Sequence, residues 1–265
     1  MITFTKHHGL GNDFLVTEHR PGDPAEIARR VCDRRRGVGA DGLLLLDDSR
    51  SGVGILAMVL YNADGSRAEM SGNGIRCLAQ AAFRRAGCQT VTTYEVHTDA
   101  GVRQVVVTPT EDSDTVWVDV TMGKVSALAE PEGWEALGVD RLRPVSHLSL
   151  GNPHAVVAVD SVADIDLLRL GRLVPQINLE VVEPGDAPGE VVMRVHERGA
   201  GLTEACGTGA CAAAWAASRW GLVDADVAEI VVRMPGGDAK VRLNSPKAGE
   251  VTLIGPAIYV ADITW

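Results

Sequence analysis

"TEACGTGACAAAWAA" (residues 203–217) and "AEMSGNGIRCLAQAA" (residues 68–82) repeat one pattern within a single chain. In each stretch a small polar residue, Cys206 or Ser71, stands in front of Gly-x-Gly and a run of small residues. Glycines 221 and 87 follow the two runs and are typical of the residue that ends a helix. The pattern therefore predicts two similar helices and an internal duplication of the chain.

Short apolar segments separated by turn residues surround both predicted helices. Segments such as "GILAMVLYNADG" (54–65) and "EVVMRVHERG" (190–199) are typical of strands. The same order of strands and one helix begins again at about residue 113. We therefore expect two β-rich lobes, each built around one of the two helices.

The composition excludes several classes of protein. The chain has 265 residues and a net charge of -10, which argues against a protein that binds a nucleic-acid backbone. The basic run "RRVCDRRR" (29–36) is predicted to be a solvated helix face. The sequence has no long apolar run and no signal-like start, so we expect no membrane association and a soluble, cytoplasmic protein. The five cysteines are predicted to be reduced, with all except Cys206 in core positions.

The chemistry of the repeated pattern follows from its place at the start of a helix. Unpaired N–H groups and the positive end of the helix dipole attract anions there. The same field lowers the pKa of a thiol from about 8.5, so Cys206 is predicted to be a base or nucleophile on a polar turn. Two such helix starts facing one ligand would hold its carboxylate and could move a proton between the faces of the adjacent carbon.

Six segments resemble the diaminopimelate epimerase family, in the family's order: "HGLGNDF", "GVGADG", "NADGSRAEMSGNGIRC", "LGNPHAV", "INLEVV" and "HERGAGLTEACGTGACAA". The resemblance implies cofactor-independent epimerisation of LL-2,6-diaminopimelate to its meso form, and a homodimer. It implies an α+β fold of two pseudo-symmetric lobes, each a strongly curved, mostly antiparallel, barrel-like sheet around a central helix. The lobes would comprise residues 1–112 plus about 252–265, and 113–251, with the active site between them.

The resemblance also assigns roles to individual residues. It implies that Cys206 is one catalytic cysteine, that Ser71 stands where the family has the other, and that His154 and Glu197 tune the thiols. It implies a carboxylate cradle at each helix start and further substrate contacts from amide and charged side chains. These binding residues are Asn12, Asn62, Gly72, Asn73, Asn152, Asn178, Glu197, Arg198, Gly207 and Thr208.

Ser71 is the departure from the family pattern. A hydroxyl is a much weaker acid than a thiol, and helix-end stabilisation of about 0.3–2 kcal/mol does not close that gap. Three explanations fit the serine: an engineered substitution, a natural enzyme that passes a proton through Ser71 and water at a lower rate, or a related racemase or dehydratase with altered chemistry. In each of them one half of the proton relay is weakened.

Two other classes of function compete with this interpretation. "GTGACA" (207–212), followed by Asp226, satisfies a dinucleotide-binding pattern, but "ERGAGLTEAC" separates it from the preceding strand and all-parallel units are missing. A non-catalytic amino-acid-binding protein that has lost activity through Ser71 is the second alternative. No metal-ligand spacing is present, so no metal is expected, and the family resemblance implies that no cofactor is needed.

Overall fold

The computed structural model describes residues 1–19, 22–48, 54–224 and 226–265, and it divides the chain into two compact units. The first unit comprises Met1–Val120 with Ile254–Trp265, and the second comprises Thr121–Leu253. None of the helices in the described part of the chain is long and apolar enough to span a bilayer.

The first unit contains mainly strands and two α-helices. A buried side chain alternates with a more exposed one along much of β4 and β8, as in strands with one face toward a core. The elements in chain order are β1 (Thr3–Gly9), β2 (Asn12–Thr17), α1 (Pro24–Val31), β3 (Gly42–Asp47), β4 (Ile55–Asn62), β5 (Arg67–Ala68), α2 (Gly72–Arg85), β6 (Thr92–Thr98), β7 (Gly101–Pro109) and β8 (Thr115–Lys124).

The strands of the first unit form a closed ring. Antiparallel pairs join β1 to β2, β3 to β4, β6 to β7 and β7 to β8, while β2–β3 and β4–β6 are parallel. The last strand of the chain, β17 (Glu250–Thr264), pairs with β1 and also with β8. This arrangement confirms the predicted barrel-like, mostly antiparallel sheet.

The second unit repeats the element order of the first. Its elements before β17 are β9 (Ser126–Ala127), a 3-10 turn (Trp134–Leu137), β10 (Val145–Ser149), β11 (Pro153–Ala158), α3 (Leu167–Gly171), β12 (Asn178–Pro184), β13 (Glu190–Glu197), β14 (Gly201–Thr203), α4 (Gly207–Trp220), β15 (Ile230–Met234) and β16 (Gly237–Leu243).

The pairing pattern repeats as well, which confirms the pseudo-symmetry. The parallel pair β11–β12 corresponds to β2–β3, and the parallel pair β13–β15 corresponds to β4–β6. The antiparallel pairs β10–β11, β12–β13, β13–β14 and β15–β16 have counterparts in the first unit. The short strand β14 before α4 is antiparallel to β13, unlike the strand that precedes a dinucleotide-binding turn.

The two predicted central helices are present, and each lies against strands of its own unit. Helix α2 packs against β1, β2, β3, β4, β6 and β7, and α4 packs against β10, β11, β12, β13, β15 and β16. Alanines fill most of the interior of α4, so strands can approach the helix backbone closely. Gly221 ends α4 with a φ of 71°, a left-handed conformation that favours glycine.

Two local predictions need correction, and two strands were not predicted. Helix α1 ends at Val31, so the basic run "RRVCDRRR" is not one solvated helix face; Arg34 lies beyond the helix and pairs with Asp13 and Asp41. Cys88 is only half-buried, whereas the other three cysteines expected in the core are buried. The strands β10 and β16 have polar residues that interrupt the apolar pattern, so the sequence pattern does not predict them.

His7 gives the first unit a pH-dependent stability. Its ring is fully buried, with Nδ1 2.9 Å from Oε1 of Gln80 on α2 and Nε2 2.8 Å from Oγ1 of Thr5. Burial lowers the pKa of His7 from 6.5 to about 4, because the charged ring would lose its hydration.

We expect this histidine to destabilise the fold in acid. Below pH 6.5 the unfolded chain takes up a proton that the folded chain refuses, so stability falls as the pH drops from 6.5 to about 4. The loss is about 3 kcal/mol over that range. Urea unfolding at pH 7 and pH 4, compared with a His7→Gln variant, would measure it. An equal acid sensitivity of both proteins would contradict this prediction.

Candidate active site

Cys206 caps helix α4 at the predicted place. Its backbone is extended, and its Sγ accepts a hydrogen bond from the N–H of Gly209 at 3.4 Å. The Oγ1 of Thr208 lies 3.5 Å from the same sulfur. The thiol therefore takes the position of an N-cap side chain, next to the first free N–H groups of the helix.

The environment of Cys206 contradicts two expectations. The residue is 4% exposed, so it is buried and does not lie on an open polar turn. Burial raises the pKa of its thiol well above the ordinary value, and the nearby carboxylates of Glu197 and Glu180 raise it further. The hydrogen bonds from Thr208 and Gly209 lower the pKa, but they do not offset desolvation. The free thiol is thus protonated at neutral pH.

A buried ion pair lies beside this thiol. His154 on β11 and Glu180 on β12 have no exposed side-chain surface, and Nδ1 of His154 is 2.6 Å from Oε1 of Glu180. Glu180 also lies close to the start of α4, since a Cβ on Gly209 would be 2.8 Å from Oε1 of Glu180. Burial raises the pKa of Glu180, while His154 opposes this shift.

Asn152 connects this pair to the thiol. Its Oδ1 lies 3.0 Å from Nε2 of His154, and its Nδ2 donates to Oγ1 of Thr208 at 3.2 Å. Since Thr208 contacts Cys206, four consecutive contacts lead from Glu180 to the sulfur. Two predicted binding residues, Asn152 and Thr208, therefore belong to the surroundings of the thiol.

The other predicted residues of the second unit surround the turn between β13 and β14. Asn178 is buried; its Nδ2 donates to the carbonyl of Pro153, and its Oδ1 accepts from the N–H of Arg198. Glu197 accepts a short hydrogen bond from the hydroxyl of Thr203. The Arg198 side chain is exposed. Asn178 thus fixes the backbone that carries Arg198.

Ser71 has the same structural role in the first unit as Cys206 in the second. It is the N-cap of α2, and its Oγ accepts from the N–H of Gly74 at 3.0 Å. Asn73, in the first turn of the helix, donates to Oδ1 of Asn12 at 3.1 Å. Asn12 in turn donates to Asp41 at 2.6 Å. Both ends of the Asn12 amide are therefore held, which fixes its orientation.

Among the described residues, Asn62 forms no side-chain hydrogen bond with this group. Its Nδ2 donates to Oγ of Ser66 at 3.0 Å, within the turn that follows β4. Gly72 and Gly207, the first residues of the two helices, are both buried. They leave helix-start N–H groups without a covering side chain.

The two units differ in what lies behind the capping residue. In the second unit His154 pairs with Asn178 across β11 and β12, and Glu180 follows two residues later. The same register in the first unit pairs Phe14 with Gly42, and the residue two positions later is Leu44. A Cβ on Gly74 would meet the Phe14 ring at 3.5 Å. An apolar pair thus stands behind Ser71 where a charged pair stands behind Cys206.

Two residues of these networks, Glu180 and Asp41, were not predicted from the sequence. Each lies in a segment quoted for the family resemblance, "INLEVV" and "GVGADG". The sequence pattern gave a signal for Glu180. A carboxylate between two apolar residues of a strand is either exposed or paired with another polar group. Among the described residues, no group of three or more His, Cys, Asp or Glu side chains is placed to hold a metal ion.

Comparison with known proteins gives matches along the whole chain. The family model described as diaminopimelate epimerase matches residues 4–128 and 147–260. A diaminopimelate epimerase of Desulforudis audaxviator is 41% identical, with 100% of this chain and 99% of the relative covered. An O-ureido-serine racemase of Streptomyces lavendulae is 38% identical, with 100% and 95% covered.

Solved structures show the same fold at low identity. A predicted epimerase from Pseudomonas aeruginosa has a TM-score of 0.77 at 14% identity, with 100% of this chain and 99% of that chain covered. A hydroxyproline epimerase from Agrobacterium vitis has a TM-score of 0.68 at 17% identity, with 99% and 90% covered. These likenesses support the two-unit α+β architecture.

Proposed function

This chain belongs to the diaminopimelate epimerase family, and from that premise we propose that it converts LL-2,6-diaminopimelate into the meso form. The reaction moves a proton across one α-carbon without pyridoxal phosphate. The observation that carries the proposal is the placement of Cys206 as N-cap of α4, with Thr208 and the N–H of Gly209 against its sulfur.

Cys206 serves this reaction as a general acid and base. Because burial and two carboxylates keep its thiol protonated, Cys206 starts as the group that gives a proton to the α-carbon. In the opposite direction it removes that proton, and the hydrogen bonds from Thr208 and Gly209 then stabilise the thiolate. The two steps use the same contacts.

We propose that each of the two helix starts can hold a carboxylate, as the family resemblance implies. The residues concerned are Gly207 and Thr208 at the start of α4, and Gly72 and Asn73 at the start of α2, where the positive end of the helix dipole attracts anions. N–H donors at a helix start stabilise the negative charge that builds on the α-carboxylate as the C–H bond breaks. Glu197, the amides of Asn12, Asn62, Asn152 and Asn178, and a bidentate clamp from Arg198 would orient the polar ends of the substrate.

We expect Ser71 to transfer a proton more slowly than a thiol would at the same position. Its hydroxyl is already an acceptor for Gly74, and the residues behind it, Phe14 and Leu44, carry no base. We propose that a proton reaches one face of the α-carbon through the Ser71 hydroxyl and water. That Ser71 and Cys206 serve one ligand stays a prediction. The three explanations of the serine also stay as they were given from the sequence.

Hydrogen exchange at the α-carbon tests this assignment. In deuterated water we expect Cys206 to exchange the α-proton of one stereoisomer, LL or meso, faster than the two isomers interconvert. Mass spectrometry and chiral chromatography would follow exchange and inversion separately. Cys206→Ala should abolish exchange, whereas Cys211→Ala, which removes a buried thiol in the same helix, should retain it. Absence of exchange from both isomers, with full activity on another amino acid, would refute the assignment of diaminopimelate as the substrate.

A second candidate function is racemisation of another amino acid. The 38% identity with an O-ureido-serine racemase over the whole chain supports it, because that relative has a different substrate within a similar sequence. An assay of α-proton exchange over a panel of amino acids distinguishes the two functions. The preferred substrate is the one with the higher kcat/KM.

The assembly and the location of the enzyme are further parts of the proposal. We propose a homodimer, as the family resemblance implies, and we propose that it acts in the cytoplasm. Sedimentation equilibrium at micromolar concentration would give the mass of the particle. A mass near the 28.0 kDa of one chain at all concentrations would contradict the dimer.

A further inference from the structure

His154 and Glu180 form a fully buried pair with an unusual hydrogen-bond requirement. Both ring nitrogens of His154 face oxygen atoms: Nδ1 faces Oε1 of Glu180 at 2.6 Å, and Nε2 faces Oδ1 of Asn152 at 3.0 Å. The second carboxylate oxygen, Oε2 of Glu180, is buried and has no hydrogen-bond partner among the described residues. Two oxygens facing one ring require a proton in each of the two contacts.

A count of protons gives the charge of this pair. A neutral imidazole carries one N–H and would turn a lone pair toward one of the two oxygens, which is repulsive. The observed contacts are satisfied when Nε2 carries a proton and a second proton lies between Nδ1 and Oε1. The pair then has no net charge, whether the shared proton belongs formally to His154 or to Glu180. A neutral pair also avoids an isolated charge at a site without exposure.

This protonation state determines the direction of the next hydrogen bonds. Nε2–H of His154 donates to Oδ1 of Asn152, so the amide must present Nδ2 to Oγ1 of Thr208. Thr208 then uses a lone pair as acceptor, which leaves its hydroxyl proton to be donated to Cys206. If Nε2 lost its proton, the Asn152 amide would turn over, and the Thr208 hydroxyl would donate to Asn152 in place of the sulfur.

We propose that Glu180 is a positioning residue, which shares a proton with His154 and thereby directs the Thr208 hydroxyl toward the sulfur of Cys206. It acts through three intervening side chains and touches no substrate. The inference rests on the proposed function only in taking Cys206 as the group that transfers the proton. The oriented hydroxyl stabilises the thiolate at the moment when Cys206 has given up its proton.

The first unit supports this role by contrast. The positions that correspond to His154 and Glu180 are Phe14 and Leu44, so the fold does not require a charged pair behind the helix start. Helix α2 is capped equally well by Ser71 with an apolar pair behind it. The charged pair therefore coincides with the unit that carries the thiol.

Two titratable groups lie close to the pair. Cys206 lies on the turn before α4, and Glu197 lies at the end of β13, where its charge acts on both Glu180 and Cys206.

Nuclear magnetic resonance of the wild-type protein gives the first test. Long-range proton–nitrogen spectra at pH 7 should show both nitrogens of the His154 ring protonated, or one protonated and one in a strong shared hydrogen bond. His154→Gln would assign the signals. A ring with one ordinary N–H and one free nitrogen would overturn the proposal, and this measurement needs neither substrate nor activity.

A titration of the thiol gives the second test. In protein labelled with 13C at the cysteine Cβ, we expect Glu180→Gln to raise the pKa of Cys206 and to lower its thiolate fraction at a given pH. The amide of this variant can donate to Nδ1 or accept from it, so Nε2 of a neutral His154 no longer has to carry a proton. Part of the molecules then hold the turned Asn152 amide, and their thiolate loses its donor. Because the wild-type pair has no net charge, the change removes no net charge near the sulfur. If Glu180 acted only as a nearby negative charge, its removal would lower the pKa of Cys206.

Thr208→Val is the matched variant, because it removes the hydroxyl and keeps the shape. It should raise the thiol pKa at least as much as Glu180→Gln, and the double variant should match Thr208→Val. Independent, additive shifts, or a shift in the opposite direction, would overturn the proposal. The titration is made without substrate. Its result therefore stands if the epimerase assay fails, and the result of the epimerase assay stands if the titration contradicts the proposal.

Discussion

Ser71→Cys is expected to raise the rate of epimerisation by about 10²–10⁴-fold, the usual contribution of a positioned general acid or base. A thiol with a pKa near 8.5 provides a usable base close to neutral pH, which a hydroxyl does not. The substitution fits the local structure. Cys206 caps α4 with the same extended backbone as Ser71 in α2, and each side chain accepts a hydrogen bond from the N–H three residues later. The helix start therefore does not need to be rebuilt.

The interconversion of LL- and meso-diaminopimelate, followed by chiral chromatography, measures this effect. Ser71→Ala is the control: it removes the hydroxyl as well as the cap, so it should slow the reaction if Ser71 passes a proton. Unchanged turnover in the cysteine variant would show that two opposed thiols do not describe this protein. A gain on a different amino acid alone would favour the racemase alternative.

His154→Leu is expected to destabilise the protein by about 3–5 kcal/mol at neutral pH, because it leaves the Glu180 carboxylate buried without its partner. Burial raises the pKa of Glu180, and without His154 this shift becomes larger. Between pH 4.5 and the raised folded-state pKa, the unfolded chain has released a proton that the folded chain retains. The stability of the variant therefore falls as the pH rises above about 4.5.

Urea unfolding of His154→Leu at pH 4.5 and pH 7.5 would show the loss at the higher pH. The matched control is the double variant His154→Phe/Glu180→Leu, which copies Phe14 and Leu44 of the first unit. We expect it to recover most of the stability, since replacing a buried ion pair with apolar residues is often neutral or stabilising. A pH-independent loss in the single variant would contradict the assignment of a buried carboxylate.

Local patterns were enough to predict much of the fold. Each helix begins directly after Ser71 or Cys206, and each ends beside its glycine, because capping and left-handed glycine are properties of a few neighbouring residues. The duplication was also readable, since the two units repeat one order of elements. The mixed pattern of β10 and the early end of α1 could not be predicted in this way, because long-range pairing overrides local preference there.

The sequence by itself determined where the two helix starts lie and which side chains cap them, because a cap depends on contacts over three or four residues. Only the tertiary structure decided the chemistry of Cys206. The sequence predicted a lowered thiol pKa from the helix field, but burial and the carboxylates of Glu180 and Glu197 raise it. Desolvation and charge depend on groups that are distant in sequence, and a pairing between two strands brings Glu180 beside His154.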